Sequence, residues 1–182
     1  MRIIDLLPNN REAIREVAAL LVEGFKEHWP DAWPDVDAAL REVQASFGAD
    51  RMSRVAVDEN GAVLGWIGGI CQRGGNVWEL HPLVVHPDHQ GKGIGRALVA
   101  DLEKQVRERG GLSLWTGTDD TSGMTTLSGT DLYPDVLEHL GRIRNLQGHP
   151  YEFYLKVGFV VVGVMPDANG PGKPDIYMAK RV

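Results

Sequence analysis

The feature that most constrains the fold is a strand, a glycine-rich turn and a helix in the middle of the chain. Val77–Val85 has the composition of a strand, and the turn after it contains the segment Gln90–Arg96, which reads QGKGIGR. The helix that follows has apolar residues at helical spacing, namely Ile94, Ala97, Leu98, Leu102 and Val106. Glycines let backbone N–H groups approach a ligand, and a helix N-terminus favours an anion. The segment therefore predicts pyrophosphate binding in an α/β fold.

Two other phosphate-binding motifs do not fit the chain. It contains no Gly-x-x-x-x-Gly-Lys-Ser/Thr segment, which excludes a P-loop. A dinucleotide-binding fold places its differently spaced glycines directly after an early strand, whereas these lie in the middle of the chain.

The hydrophobic pattern predicts the order strand, helix, helix, three strands, helix, strand, helix, strand, strand. The predicted strands are Arg2–Leu6, Met52–Asp58, Ala62–Cys71, Val77–Val85, Leu112–Thr118, Phe159–Val164 and Asp175–Lys180. The predicted helices are Arg11–Phe25 with Asn9 or Asn10 as cap, Val36–Phe47, Ile94 to the Gly110-Gly111 pair, and Tyr151–Val157. Residues 119–149 are expected to form a loop-rich insertion.

Length and charge limit the classes of protein to which the chain can belong. Its 182 residues predict a single domain, and no apolar run is long enough for a transmembrane helix. One cysteine and no signal-peptide pattern favour a cytoplasmic protein. The net charge of −6 argues against nucleic acid or an anionic membrane as partner and suits a cationic substrate.

Two motifs resemble those of the GNAT superfamily of acyl-CoA-dependent N-acetyltransferases. One is Gln-x-x-Gly-x-Gly, formed by Gln90, Gly93 and Gly95, and the other is Tyr-x-x-x-Gly-Phe, formed by Tyr154, Gly158 and Phe159. The predicted order of elements is also that of the superfamily. The resemblance implies a mixed, mostly antiparallel central sheet flanked by helices, with a wedge between the fourth and fifth strands.

The same resemblance implies acetyl-CoA as co-substrate. The residues expected to bind its pyrophosphate are Gln90, Gly91, Lys92, Gly93, Ile94, Gly95 and Arg96. Pro82 cannot donate to a β ladder, so strand pairing must break near it. In the superfamily a bulge here opens the wedge, which implies that the backbone of Leu83, Val84 and Val85 pairs with pantetheine. A freed N–H there would polarise the thioester carbonyl.

Glu79 is the first candidate for the catalytic base. A carboxylate on a mostly apolar strand indicates a specific role, because burying it unpaired is costly. Alternation would place Val77, Glu79, His81, Leu83 and Val85 on one face if the strand is regular, although a bulge would disturb this. An acid at this position often serves as general base in the superfamily, so Glu79 is expected to deprotonate or hold the substrate amine. His81 is the alternative base, and a structural carboxylate paired with an arginine remains open.

Tyr154 occupies the tyrosine position of the second motif. The resemblance implies that its hydroxyl protonates the departing thiolate, with Tyr151 as the weaker candidate and a purely structural aromatic as the alternative. An asparagine that often contacts the cofactor is replaced by Gln147. Cys71 is interpreted as a structural thiol, and His86 with His89 lacks further ligands at zinc spacing, so no metal is predicted.

The expected acceptor is a cationic amine. Two stretches, 27–37 and 119–138, carry acids without lysine or arginine, and in GNAT folds both flank the acceptor site. Trp29, Trp33, Asp119 and Asp120 are the predicted substrate-binding residues together with Glu79. A solvated acidic surface is the alternative interpretation of these charges.

Segments 132–135, 149–154 and 166–175 resemble the aminoglycoside 6′-N-acetyltransferase branch, which implies that the chain acetylates the 6′-amine of these antibiotics by direct transfer in a ternary complex. A homodimer is a family-level expectation. Two alternatives stay open: a GNAT enzyme for another amine, such as a polyamine, a metabolite or a protein N-terminus, and a non-catalytic acyl-CoA-binding regulator.

Overall fold

The computed structural model describes residues 1–182, which divide into two compact units. The first unit comprises Met1–Leu114 and Val182, and the second comprises Trp115–Arg181. The first contains strands β1 (Arg2–Asp5), β2 (Arg51–Val57), β3 (Val63–Gln72) and β4 (Val77–Val85) and helices α1 (Arg11–Phe25), α2 (Val36–Ala45) and α3 (Ile94–Glu108). Strand β5 (Ser113–Asp119) leads into the second unit, which contains α4 (Val136–Gly141), α5 (Tyr151–Lys156), β6 (Val160–Met165) and β7 (Asp175–Arg181).

The sheet of the first unit is antiparallel throughout, with β1, β2, β3 and β4 paired in that order. One face packs against α1 and α2 around a buried cluster that includes Leu21, Val43, Trp66 and Val84. The other face packs closely against α3. A Cβ added to Gly69 of β3 would lie only 2.8 Å from a methyl carbon of Leu102 in α3. Both faces are covered, which explains why no residue of β2 or β3 is exposed.

The first two helices begin at side-chain caps. The Asn10 carboxamide oxygen accepts from the Ala13 N–H at 3.2 Å, and the Asp35 carboxylate accepts from the Ala38 N–H at 2.7 Å. Of the two predicted caps for α1, the structure therefore has Asn10.

The second unit has the strand order β5, β7, β6, and β6 pairs with β7 in antiparallel register. Its one unpredicted helix is α4, which lies within the predicted loop-rich insertion. None of the six residues of α4 is buried, so the helix has no apolar stripe by which the sequence could reveal it.

Every predicted strand and helix is present, with ends that differ from the prediction by at most two residues. The prediction of an α/β fold with mostly antiparallel strands is confirmed. None of the helices combines the length and apolarity needed to cross a membrane.

Candidate active site

Strand β4 contains the bulge that Pro82 predicts. Ile67 of β3 pairs with Leu83, but Gly69 pairs with Leu80, so that His81 and Pro82 together oppose the single residue Gly68. One extra residue in one strand breaks the ladder locally and re-aims the side chains on either side of it. The predicted break in pairing is therefore confirmed.

Gly68 makes this bulge possible. A Cβ at this position would lie 2.2 Å from the carbonyl oxygen of His81, closer than any real contact. A glycine inside a strand often marks a bulge or a close backbone approach. Gly68 is therefore a second signal of the bulge in the sequence, and the prediction from Pro82 alone missed it.

The bulge also reverses the alternation of faces along β4. Glu79 pairs with Ile70 and Val84 pairs with Trp66, and residues 66 and 70 of β3 share a face. Glu79 and Val84 therefore lie on the same face, the one that packs toward α1 and α2. Glu79 therefore lies on the opposite face from Leu83 and Val85, because the bulge shifts the alternation that a regular strand would have.

Glu79 is a half-buried, oriented carboxylate. The Gln72 side-chain amide donates to its Oε2 at 2.5 Å, and Oε1 accepts no hydrogen bond. No arginine pairs with it, which removes that structural alternative. His81 is exposed, with its Nε2 3.8 Å from Glu42 of α2 and its ring 6.1 Å from that of Trp33. Glu79 therefore presents one oxygen as a proton or cation acceptor.

The glycine-rich turn has the backbone shape that its sequence predicts. Gly91 and Gly93 have φ of 72° and 85°, a left-handed conformation that side chains disfavour. Gly93 is the N-cap of α3, and the first intrahelical bond runs from the Ala97 N–H to its carbonyl at 3.0 Å. The N–H groups of the first turn precede this bond and point out of the helix, as an anion site requires.

Two side chains of the turn stabilise it by hydrogen bonds to nearby backbone carbonyls. The Gln90 amide donates to the Val85 carbonyl at 3.3 Å, and Lys92 Nζ donates to the Asp88 carbonyl at 2.8 Å. Val84 is 4% exposed and belongs to the core cluster, so only its backbone is open to a ligand. Leu83 and Val85 are half-buried.

Tyr154 lies on α5 and is almost fully buried. Its ring packs between Phe153 and Phe159, and the residue is 7% exposed. Burial raises the pKa of Tyr154 to about 12, although a hydrogen bond with Thr116 acts in the opposite direction. The hydroxyl is therefore a hydrogen-bond donor at any physiological pH. Burial raises the pKa of Tyr151 as well.

The two tryptophans that were predicted to bind substrate differ in exposure. Trp33 is 9% exposed, lies in the core cluster and meets Phe25 edge-on with ring centres 4.6 Å apart. Trp29 is half-buried beside the rings of Phe25 and His28. Trp33 thus serves mainly the core, and Trp29 is the better candidate for a surface that a ligand can reach.

The two aspartates at the end of β5 also differ. Asp119 is half-buried and accepts from the Asn169 amide at 2.6 Å. Asp120 has no exposed surface, and its two oxygens accept the N–H groups of Met124 at 2.8 Å and Thr125 at 2.7 Å. We therefore correct the assignment of Asp120: it holds the start of the insertion, and no surface is left for a substrate.

The insertion contains two polar residues that sequence reasoning missed, His149 and Asn145. His149 is 1% exposed, and the Asn145 side chain hydrogen-bonds to its backbone on both sides. Gln147, at the place of the family's asparagine, is exposed, and its N–H donates to the Met124 carbonyl at 3.3 Å. No sequence spacing identifies such contacts, because they depend on the path of an irregular loop.

The remaining candidates carry little chemistry. Cys71 is a half-buried free thiol. No cluster of three or more His, Cys, Asp or Glu side chains is arranged to hold a metal ion, and His86 Nδ1 accepts the Asp88 N–H at 3.3 Å. The metal-free site and the wedge between the fourth and fifth strands stay predictions.

Comparison with known proteins identifies the family. Residues 14–124 match the acetyltransferase (GNAT) family, and the chain belongs to it. A crystal structure of an aminoglycoside 6′-N-acetyltransferase complexed with coenzyme A is 42% identical with a TM-score of 0.90, covering 100% of this chain and 97% of that one. The chain is thus an acyltransferase with the GNAT fold.

Two further solved structures support this assignment. The aminoglycoside 6′-N-acetyltransferase from Enterococcus faecium is 42% identical with a TM-score of 0.87, and an aminoglycoside 6′-acetyltransferase type Ii is 36% identical with a TM-score of 0.74. Each comparison covers 100% of this chain and 97% of the other. No curated protein sequence matches the chain.

Proposed function

We propose that the protein transfers the acetyl group of acetyl-CoA to the 6′-amine of aminoglycosides. The observation that carries this proposal is 42% identity, over the whole chain, to an aminoglycoside 6′-N-acetyltransferase complexed with coenzyme A. Acetylation would remove a positive charge from an antibiotic that binds RNA through its charges, and would thereby confer resistance. We expect this to occur in the cytoplasm.

The glycine-rich turn fits the pyrophosphate of acetyl-CoA. Its left-handed glycines Gly91 and Gly93 keep side chains away from the N-terminus of α3, where N–H groups and the helix dipole attract an anion. The bulge at His81 and Pro82 interrupts pairing next to Leu83–Val85. We expect a backbone N–H of Leu83–Val85 to donate to the thioester carbonyl.

Glu79 is suited to the amine. A 6′-amine is protonated at neutral pH, and the resulting ammonium must lose a proton before its nitrogen can attack the thioester. Glu79 Oε1 can accept that proton, directly or through water, while the Gln72 amide holds Oε2. Glu79 would also attract the cation before transfer. The amine then attacks the thioester carbon in a ternary complex, without an acyl-enzyme.

Tyr154 acts on the leaving group as a hydrogen-bond donor. Burial raises its pKa to about 12, several units above that of an ordinary thiol at about 8.5. Complete transfer of the phenolic proton to a thiolate is therefore uphill, whereas donation of a hydrogen bond stabilises the developing negative charge on sulfur. In this proposal the thiolate gains its final proton from the reacting amine or from water.

The acceptor site is proposed to use acidic and aromatic side chains. Trp29 and Asp119 remain candidates because both keep some exposed surface. Their contribution would be attraction and stacking of a polycation, which a net charge of −6 also favours.

The proposal is tested by CoA release with neomycin B and paromomycin as acceptors, which differ in carrying a 6′-amine and a 6′-hydroxyl respectively. Spermidine and a peptide with a free N-terminus are offered in parallel. Rapid release with neomycin B alone is expected. Release with spermidine or the peptide alone would assign a different amine, and bound acetyl-CoA without release on any amine would indicate a non-catalytic regulator.

A further inference from the structure

His149 is a buried ionisable residue of the second unit that the proposed mechanism does not use. It is 1% exposed and lies between the end of β5 and the start of α5. Buried histidines that make specific hydrogen bonds on both ring nitrogens hold one tautomer.

The hydrogen bonds of His149 define that tautomer. The Tyr151 N–H donates to its Nδ1 at 3.2 Å, so Nδ1 carries no proton. The neutral ring then has its proton on Nε2, which lies 3.2 Å from the Asp119 carbonyl oxygen and donates to it. Protonation of Nδ1 would set two N–H groups against each other and break the bond to Tyr151.

The backbone of His149 is fixed as well. Asn145 Nδ2 donates to the His149 carbonyl at 2.9 Å, and the His149 N–H donates to Asn145 Oδ1 at 2.8 Å. These two hydrogen bonds hold the backbone from which the imidazole projects.

The two residues that hydrogen-bond to the imidazole, Asp119 and Tyr151, belong to β5 and α5. Tyr151 begins α5, and Tyr154 follows one turn later. Asp119 ends β5, and the Thr116 side chain of the same strand interacts with the Tyr154 side chain, which acts to lower the pKa of Tyr154 against the effect of burial. His149 thus closes a ring of contacts that runs from β5 through its imidazole to α5 and back through Tyr154.

We propose that neutral His149 is a positioning residue that fixes α5 against β5 and so aims the Tyr154 hydroxyl. This inference rests on the proposed role of Tyr154. Asp119 and Asp120 face the imidazole and favour its charged form, but burial outweighs them and lowers the pKa of His149 below its usual 6.5. The ring is therefore neutral at pH 7 and is protonated only in acid.

A double-mutant cycle tests this coupling. The variant His149→Asn keeps an acceptor near the position of Nδ1 but loses the donor to Asp119. We expect it to lower kcat about tenfold while KM for acetyl-CoA stays within about twofold. The substitution misplaces the Tyr154 hydroxyl but leaves the binding site for acetyl-CoA intact. In a Tyr154→Phe background the same substitution should lower kcat by less than about twofold.

The matched control is His139→Asn on α4, which should leave kcat unchanged. Equal losses from His149→Asn in both backgrounds would overturn the proposal and show a general structural role. Wild-type turnover of Tyr154→Phe alone would instead overturn the role of Tyr154 in the proposed function, and with it this inference.

A second measurement needs no substitution at position 149. The ratio of kcat between the wild type and Tyr154→Phe is followed from about pH 7.5 into acid well below the usual histidine pKa, while NMR of the His149 ring records its protonation. Acid protonates His149 and releases α5, so the ratio should fall toward one. A ratio that stays constant across the protonation of His149 would overturn the proposal even if His149→Asn did not fold, because titration of any shared base cancels in the ratio.

Discussion

The glycine turn at residues 90–96 and the insertion at residues 119–149 reach a fixed shape by opposite means. The turn is exposed over most of its length, and left-handed glycines and a helix N-terminus define its path. The insertion has little regular structure, and buried polar side chains hold it, with Asp120 and His149 among the least exposed residues of the chain. The first shape depends on what the backbone can adopt, and the second on hydrogen bonds made in the interior.

This difference predicts opposite responses to substitution. In the turn, added side-chain atoms on a glycine should matter more than lost polar groups, because backbone conformation carries the shape. In the insertion, removal of one buried acceptor should matter most, because it leaves backbone donors unsatisfied in the interior.

The largest effect is expected in the insertion, from Asp120→Asn. Its carboxylate accepts two buried N–H groups, and an amide can satisfy only one of them. We expect the free energy of unfolding to fall by about 3 kcal/mol, measured by denaturant titration. Asp135→Asn is the control, since that side chain is exposed and caps no N–H group. Equal, small losses in both variants would remove the distinction between the two regions.

Glu79→Gln tests the strand that leads into the glycine turn. We expect kcat to fall about 100-fold with the Kd for acetyl-CoA unchanged, because the amide cannot accept the proton of the ammonium. Turnover of the variant should rise with pH as the free amine becomes more abundant. Glu12→Gln, an exposed position on α1, is the control. Unchanged kcat in Glu79→Gln would exclude Glu79 as the base.

Gly68→Ala tests whether the bulge of β4 depends on a close backbone approach. Its Cβ would lie 2.2 Å from the His81 carbonyl, so the strands must separate, and we expect a loss of about 2 kcal/mol in stability. Gly163→Ala on β6 is the matched control. A Cβ at position 163 would lie 3.6 Å from its nearest neighbour, a ring carbon of Tyr177, which is an ordinary contact. A neutral Gly68→Ala variant would show that the bulge adapts.

The smallest effect is expected for Gly93→Ala in the turn. The residue has open space around it but a φ of 85°, so strain alone should cost about 1 kcal/mol of stability. The altered N-terminus of α3 should weaken acetyl-CoA binding about tenfold by calorimetry. Gly141→Ala in α4, which has open space and no left-handed φ, should leave acetyl-CoA binding unchanged and should not lower stability.

The sequence predicted the parts of the site that backbone chemistry defines. Pro82 indicated the bulge, and Gly91 and Gly93 indicated the turn, because each residue type constrains φ or hydrogen bonding by itself. The prediction of site residues failed where the role of a polar side chain depends on whether it is buried. Asp120 looked like a surface acid but is fully buried. No local pattern distinguishes the two cases, since burial of a polar side chain depends on the partners that the folded loop supplies.

The reversal of faces in β4 shows the same limit in a regular element. Alternation placed Glu79 correctly relative to its neighbours up to the bulge and wrongly beyond it. A break could be predicted from Pro82, but its size, one extra residue, is a property of the pairing with Gly68.

The proposed function is tested most directly by the structure of the product. Neomycin B, which carries several amines, is incubated with acetyl-CoA and the protein, and the acetylated nitrogen is located by two-dimensional NMR. We expect a single acetyl group on the 6′-nitrogen. Acetylation at any other nitrogen, or at several, would contradict the proposed function.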